Sequence, residues 1–223
     1  KAAIAIAGSG PMAFLCGLMA VAMGFGRLVL LGGKAAKNLE RSPCQFPFAT
    51  WANLFGRINP QVKVFPCEVR LQERMIGKLP SLDGLIVAGN DLQAWHAGVL
   101  VGQQTSIPVV AGSTSGRLGV WGRAVVDPIT QRLNACAESP VLSQIIAGLL
   151  VDDMRKTLMP LSGEASSTTK RNPLCLPPIK SAGRSRYTPH SSRWRGISLV
   201  GAGALGTWFG LGLGLSGLRA ALH

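Results

Sequence analysis

Acidic residues are scarce in this chain: 10 Asp+Glu stand against 23 Lys+Arg in 223 residues, a formal net charge of +13 at pH 7. Histidine is scarcer still, with His96, His190 and His223 scattered along the chain. They support neither a Ser/His/Asp arrangement nor a metal constellation. The cysteines Cys16, Cys44, Cys67, Cys136 and Cys175 are odd in number and include no C-x-x-C pair, which excludes a zinc knuckle and a disulfide framework; no zinc is expected. A signal-peptide cleavage pattern is also missing, and the expectation is a reducing cytoplasm.

The positive charge could attract nucleic acid, anionic lipid or an acidic protein. Much of it, however, lies in one Pro/Ser-rich stretch carrying Lys170, Arg171, Lys180, Arg184, Arg186, Arg193 and Arg195. That stretch has few aromatics on which bases could stack, so it reads as a solvated linker before it reads as a nucleic-acid arm.

Hydrophobic residues make up 47% of the chain, ample for a buried core. Two long runs, 2–26 and 196–218, carry no charge, and each exceeds the roughly 18 apolar residues of a membrane span. Each run nevertheless begins as a strand, breaks at glycines and resumes as a helix. A two-span membrane protein is therefore a secondary reading, behind buried βα units.

The two runs share a motif. Ala3-Ile4-Ala5-Ile6-Ala7 leads into Gly8-Ser9-Gly10-Pro11-Met12-Ala13, and Ile197-Ser198-Leu199-Val200 leads into Gly201-Ala202-Gly203-Ala204-Leu205-Gly206. A small-apolar strand entering G-x-G-x-x-[G/A] is how a nucleotide-binding βα unit begins. Gly8 and Gly10 would let backbone approach a phosphate at a helix N-terminus, or would simply make a tight turn. The second copy, with Gly201, Gly203 and Gly206 intact, lies too near the end of the sequence to complete a domain here.

Between them the pattern alternates. Strands are expected at Arg27 to Leu31, Val62 to Phe65, Asp83 to Ala88, Ile107 to Ala111 and Leu118 to Trp121, the last with hairpin or loop character. Helices are expected at Met12 to Met23, Phe48 to Phe55 and Leu92 to Gln104. Ser139-Pro140 offers a capping hydroxyl and an N1 proline for a long helix to Leu158. The fold class is α/β: a Rossmann-like, doubly wound, mainly parallel sheet over 1–160, a basic Pro/Ser-rich linker over 161–195, and a truncated second βα unit over 196–223.

In order along residues 3 to about 160, these features resemble the ThiF/MoeB/ubiquitin-activating superfamily. The resemblance rests on Gly8, Gly10 and Ala13, on Gly24 and Gly26, on Asn38-Leu39-Glu40-Arg41, on Ile58-Asn59-Pro60-Gln61-Val62, on Asp83 to Asp91, on Ile107 to Gly119 and on the helix from Val141 to Leu158. It implies ATP-dependent adenylation of a ubiquitin-like or sulfur-carrier protein, with Mg as metal and a homodimer or tandem-domain pairing. It also implies phosphate contacts from Asn38 and Arg41. Cys136 would stand near the place of the cysteine that takes the activated carboxylate.

The departures are specific. The family's ribose-binding Asp aligns with Gly32, a second acidic position with Lys34, and the magnesium aspartate with Asn90; Asp91, one residue on, is the available substitute. The resemblance therefore implies a degenerate, pseudo-adenylation half. An NAD(P)-binding oxidoreductase or regulatory dinucleotide-binding module is the alternative on the same glycines, with Lys34 favouring a 2′-phosphate. Cys16 reads as packing within an apolar helix, and His96 has no spaced partner.

Overall fold

Short runs of Ala, Ile, Leu and Val can be covered on both faces, and in this chain they assemble into a parallel sheet. The structure, a computed structural model, describes residues 1–32, 48–78, 81–116, 118–124, 138–160, 172–175, 198–199 and 221–222. Strands β1 (Ala3–Ala7), β2 (Arg27–Leu31), β3 (Lys63–Cys67), β4 (Gly84–Ala88), β5 (Val109–Ser115), β6 (Leu118–Arg123) and β7 (Asn172–Cys175) form one sheet in the order β3-β2-β1-β4-β5-β6-β7. The first five are parallel; β6 and β7 add antiparallel.

Alternation along each strand sorts the core into two layers. Ile4, Ile6, Leu28, Leu30 and Ile86 face helices α1 (Pro11–Ala22), α2 (Phe48–Ile58) and α4 (Pro140–Leu158). Ala5, Ala7, Val29, Leu31, Leu85 and Val87 face α3 (Leu92–Gln104), whose largest buried side chain is Trp95. Trp51 and Phe55, one helical turn apart on α2, are buried against Phe14 of α1, the Phe14–Trp51 rings meeting edge to face at 5.3 Å. Fully burying an aromatic or aliphatic side chain of this size contributes about 1.5–3 kcal/mol, so this layer anchors α2.

The doubly wound α/β expectation is met, and α3 has the expected bounds. The hairpin β5–β6 is longer than expected because Gly112 to Ser115 and Gly122 to Arg123 continue the pairing. A 3₁₀ helix at Glu73–Lys78 lies where no element was expected. Pro66 and Pro173 sit on the edge strands β3 and β7, where a missing N–H costs no internal ladder bond. Asn172–Cys175, inside the basic Pro/Ser-rich stretch, supplies the seventh strand. Ser198–Leu199 and Ala221–Leu222 pair in parallel as a separate two-stranded sheet.

The first uncharged run divides into β1 and a 12-residue helix ending near Gly24. Among the described residues no helix is long and apolar enough to cross a membrane. Most of the second run lies outside the described residues.

Candidate functional site at the switch point

In a sheet ordered 3-2-1-4-5, α1 follows β1 onto one face and α3 follows β4 onto the other, so the chain leaves the sheet in opposite directions beyond the C-terminal ends of β1 and β4, which is the topological switch point where a crevice forms. Ligands of open α/β sheets bind at such a point. Here it is built from three segments: the turn Gly8-Ser9-Gly10 entering α1, the turn Gly89-Asn90-Asp91 entering α3, and Glu138-Ser139 entering α4.

Gly8 has φ +148°, and its N–H donates to the Leu31 carbonyl at 2.8 Å. A Cβ there would run into the Ala88 carbonyl oxygen, so β1 and β4 can approach at this point only because residue 8 is glycine. Gly10 is the N-cap of α1, with no side-chain cap. Pro11 at the first helical position has no N–H and the Phe14 N–H donates to the Gly10 carbonyl, so Met12 and Ala13 carry the N–H groups without an intrahelical partner at the head of α1, beside the positive end of the helix dipole.

That cradle is filled from within the chain. The Glu138 carboxylate accepts from the Met12 N–H (Oε2, 3.1 Å), from the Asn90 N–H (Oε1, 3.4 Å) and from the Ser143 hydroxyl (Oε2, 3.3 Å). A Cβ on either Gly10 or Gly89 would collide with its Oε1. Burial pushes the Glu138 carboxyl above its ordinary range, while the hydrogen bonds from Met12, Asn90 and Ser143 pull the other way. Cys16, beneath it on α1, is fully buried; burial, with the Glu138 charge second, raises its thiol strongly. That fits the packing expected of Cys16.

A second polar layer fixes the first. Asn90 Oδ1 accepts from the Ser113 hydroxyl (2.6 Å) and the Thr114 N–H (3.2 Å), and its Nδ2 donates to the Thr114 carbonyl (2.7 Å). The buried Thr114 hydroxyl accepts from the Ser139 N–H at 3.1 Å and shares a hydrogen bond with Ser143 at 3.2 Å. The Ser139 hydroxyl, expected to cap α4, makes no cap bond; its carbonyl accepts from Ser143 N–H at 2.8 Å in the first helical turn.

Asp91 caps α3, accepting from the Gln93 and Ala94 N–H groups at 3.1 and 3.2 Å, and pairs with Arg70 at 2.9 Å. Gly32, at the end of β2, is buried and donates its N–H to the Cys67 carbonyl; it offers no carboxylate where a ribose is bound in the dinucleotide-binding pattern. His96 is exposed on α3. Among the described residues no three His, Cys, Asp or Glu side chains cluster to hold a metal. Asn38, Arg41, Cys136, Gly201, Gly203 and Gly206 lie outside the described residues, as does Lys34.

The described fold is similar to that of E. coli MccB. MccB solved with MccA matches at a TM-score of 0.64 and 15% identity, over 79% of this chain and 61% of that one. MccB solved with ATP matches at 0.58 and 15%, over 81% and 66%. PaaA matches at 0.59 and 17%, over 79% and 61%. The chain thus spans roughly six tenths of the length of these structures. No protein-family model matches the sequence, and no curated protein does.

Glu138 is the site residue that sequence reasoning missed. An acidic residue just before a helix ordinarily serves that helix's own N-terminus, so nothing local distinguishes one that reaches across to Met12.

Proposed function

We propose that this chain is the nucleotide-binding, Rossmann-like part of a ThiF/MoeB-type adenylating protein, and that this region binds ATP weakly or is the non-catalytic half of a pair. The observation that carries the reading is the Gly8–Gly10 turn at the β1/β4 switch point of a 3-2-1-4-5 sheet. A fold similar to that of MccB, which has been solved both with ATP and with MccA, supports ATP as the nucleotide. It also supports a peptide or small protein, ubiquitin-like or sulfur-carrier, as the partner.

The residues fit an intact ATP site in backbone and depart from it in side chains. The α1 N-terminus has the shape to hold a phosphate, but the Glu138 carboxylate lies there. Asn90 is engaged with β5, and Asp91 could serve Mg only by surrendering its cap on α3. Gly32 leaves the ribose without its carboxylate. These departures support a pseudo-adenylation role, in which the domain is a scaffold and pairing surface for a catalytic copy. Cys136, Asn38 and Arg41, with the second glycine set Gly201, Gly203 and Gly206, are the further residues to which this reading assigns nucleotide contact and chemistry.

Isothermal titration of the 223-residue chain with Mg-ATP tests this. The expected result is affinity weaker than about micromolar, that is, less than ~8 kcal/mol of binding free energy; micromolar or tighter binding contradicts the degenerate reading. NADPH fluorescence should not change on adding the protein, and a clear enhancement would favour the oxidoreductase alternative.

A further inference from the structure

We infer that Glu138 is a built-in anion that occupies the phosphate cradle at the head of α1, so that the chain holds its own nucleotide site shut. The inference rests on the nucleotide reading above for what the cradle would bind, and on geometry for what now fills it.

The two glycines that make room at this point, Gly10 and Gly89, are the two whose missing side chains admit Glu138 Oε1. One comes from the β1–α1 turn and the other from the β4–α3 turn, so the opening is formed by the crevice and not by Glu138's own helix. Within it the carboxylate takes donors from three segments: Met12 on α1, Asn90 in the β4–α3 turn and Ser143 on α4. Met12 lies 126 residues away in sequence. An acidic side chain serving only its own helix would turn back to the first-turn N–H groups of α4; this one spans to the N-terminus of another. A phosphate oxygen would need the same Met12 and Asn90 N–H groups, and two anions cannot share them without strong repulsion at hydrogen-bonding distance. Phosphate entry therefore requires Glu138 to withdraw. Withdrawal must break the bonds from Met12, Asn90 and Ser143, the last of which is itself positioned by Thr114.

The experiment compares the parent chain with Glu138→Ala, which empties the cradle, and Glu138→Gln, which keeps the shape and removes the charge. Each is titrated with Mg-ATP and, separately, with inorganic pyrophosphate, while the Met12 and Asn90 amide resonances are followed by NMR. The expected result is at least about tenfold tighter binding of both probes by Glu138→Ala, with Glu138→Gln intermediate and the Met12 amide shifting on pyrophosphate addition. Tighter pyrophosphate binding without tighter Mg-ATP binding would uphold Glu138 as the internal anion and overturn the ATP reading. Equal binding of both probes by parent and variants, at whatever affinity, would overturn the inference; the ATP reading would then stand or fall on the parent's own affinity. Thermal unfolding checks that the variants fold, and should Glu138→Ala fail, Glu138→Gln carries the comparison with the same expected direction.

Discussion

Thr114→Val probes the polar layer on which the crevice rests. The substitution keeps the shape of a fully buried side chain on β5 and deletes one hydroxyl, which accepts from the Ser139 N–H at 3.1 Å and shares a hydrogen bond with Ser143 at 3.2 Å. Ser143 retains Glu138 as a partner, so its loss is a net hydrogen bond of about 1 kcal/mol; the Ser139 N–H is left without its acceptor, at about 1–3 kcal/mol. The sum is about 2–4 kcal/mol, which for a chain of this size lowers Tm by roughly 4–16 °C. Urea unfolding of parent, Thr114→Val, Ser143→Ala and the double variant gives both the cost and the coupling, expected at about 0.5–1.5 kcal/mol for residues in direct contact. A Thr114→Val cost below about 0.5 kcal/mol, or exact additivity with Ser143→Ala, would refute the claim that this hydroxyl ties the head of α4 to β5.

Gly8→Ala places a Cβ against the Ala88 carbonyl at φ +148° and should cost about 3 kcal/mol or more, seen as loss of the cooperative thermal transition; a normal transition would show that β1 and β4 can part here without penalty. Asp91→Ala should cost about 0.5–2 kcal/mol by uncapping α3, while Asp91→Asn, still a good cap, recovers most of it in the same melts; equal stability of Ala and parent would remove the capping role. For Glu138→Gln the sign follows from the raised carboxyl pKa. The folded parent binds its proton at pH values where the unfolded chain has released it, so its stability is greatest below the ordinary value of 4.5 and declines as pH rises toward the folded value. Gln cannot titrate, so the stability of parent minus variant should fall from about pH 4 to pH 7 in urea titrations, and a flat difference would contradict the burial argument.

Much of the fold was legible locally. Helix α3 was expected at Leu92 to Gln104 and has those bounds, while the capping role of Asp91, read from the sequence only as a stand-in magnesium ligand, is visible in the structure alone. β1, β2 and β4 are apolar runs ended by glycine. The first glycine motif could be placed at a strand-to-helix turn because its conformational demand is made within a few residues. The crevice itself was less legible. That Asn90 would spend its amide on Thr114, and Asp91 its carboxylate on α3 and Arg70, depends on which strand lies beside β4 and on where the chain before α3 runs. No spacing rule encodes either.

By itself, then, the sequence determined an α/β chain of buried parallel strands opening on a glycine turn, since periodicity 2, periodicity 3.6 and glycine punctuation are properties of neighbouring residues. Tertiary structure alone decided what stands at the mouth of that turn. It draws Asn172–Cys175 onto the sheet edge and brings Glu138 to the N–H of Met12, contacts between residues far apart in the chain. The head of α1 has donors to satisfy, and only the folded chain reveals that the nearest anion is its own.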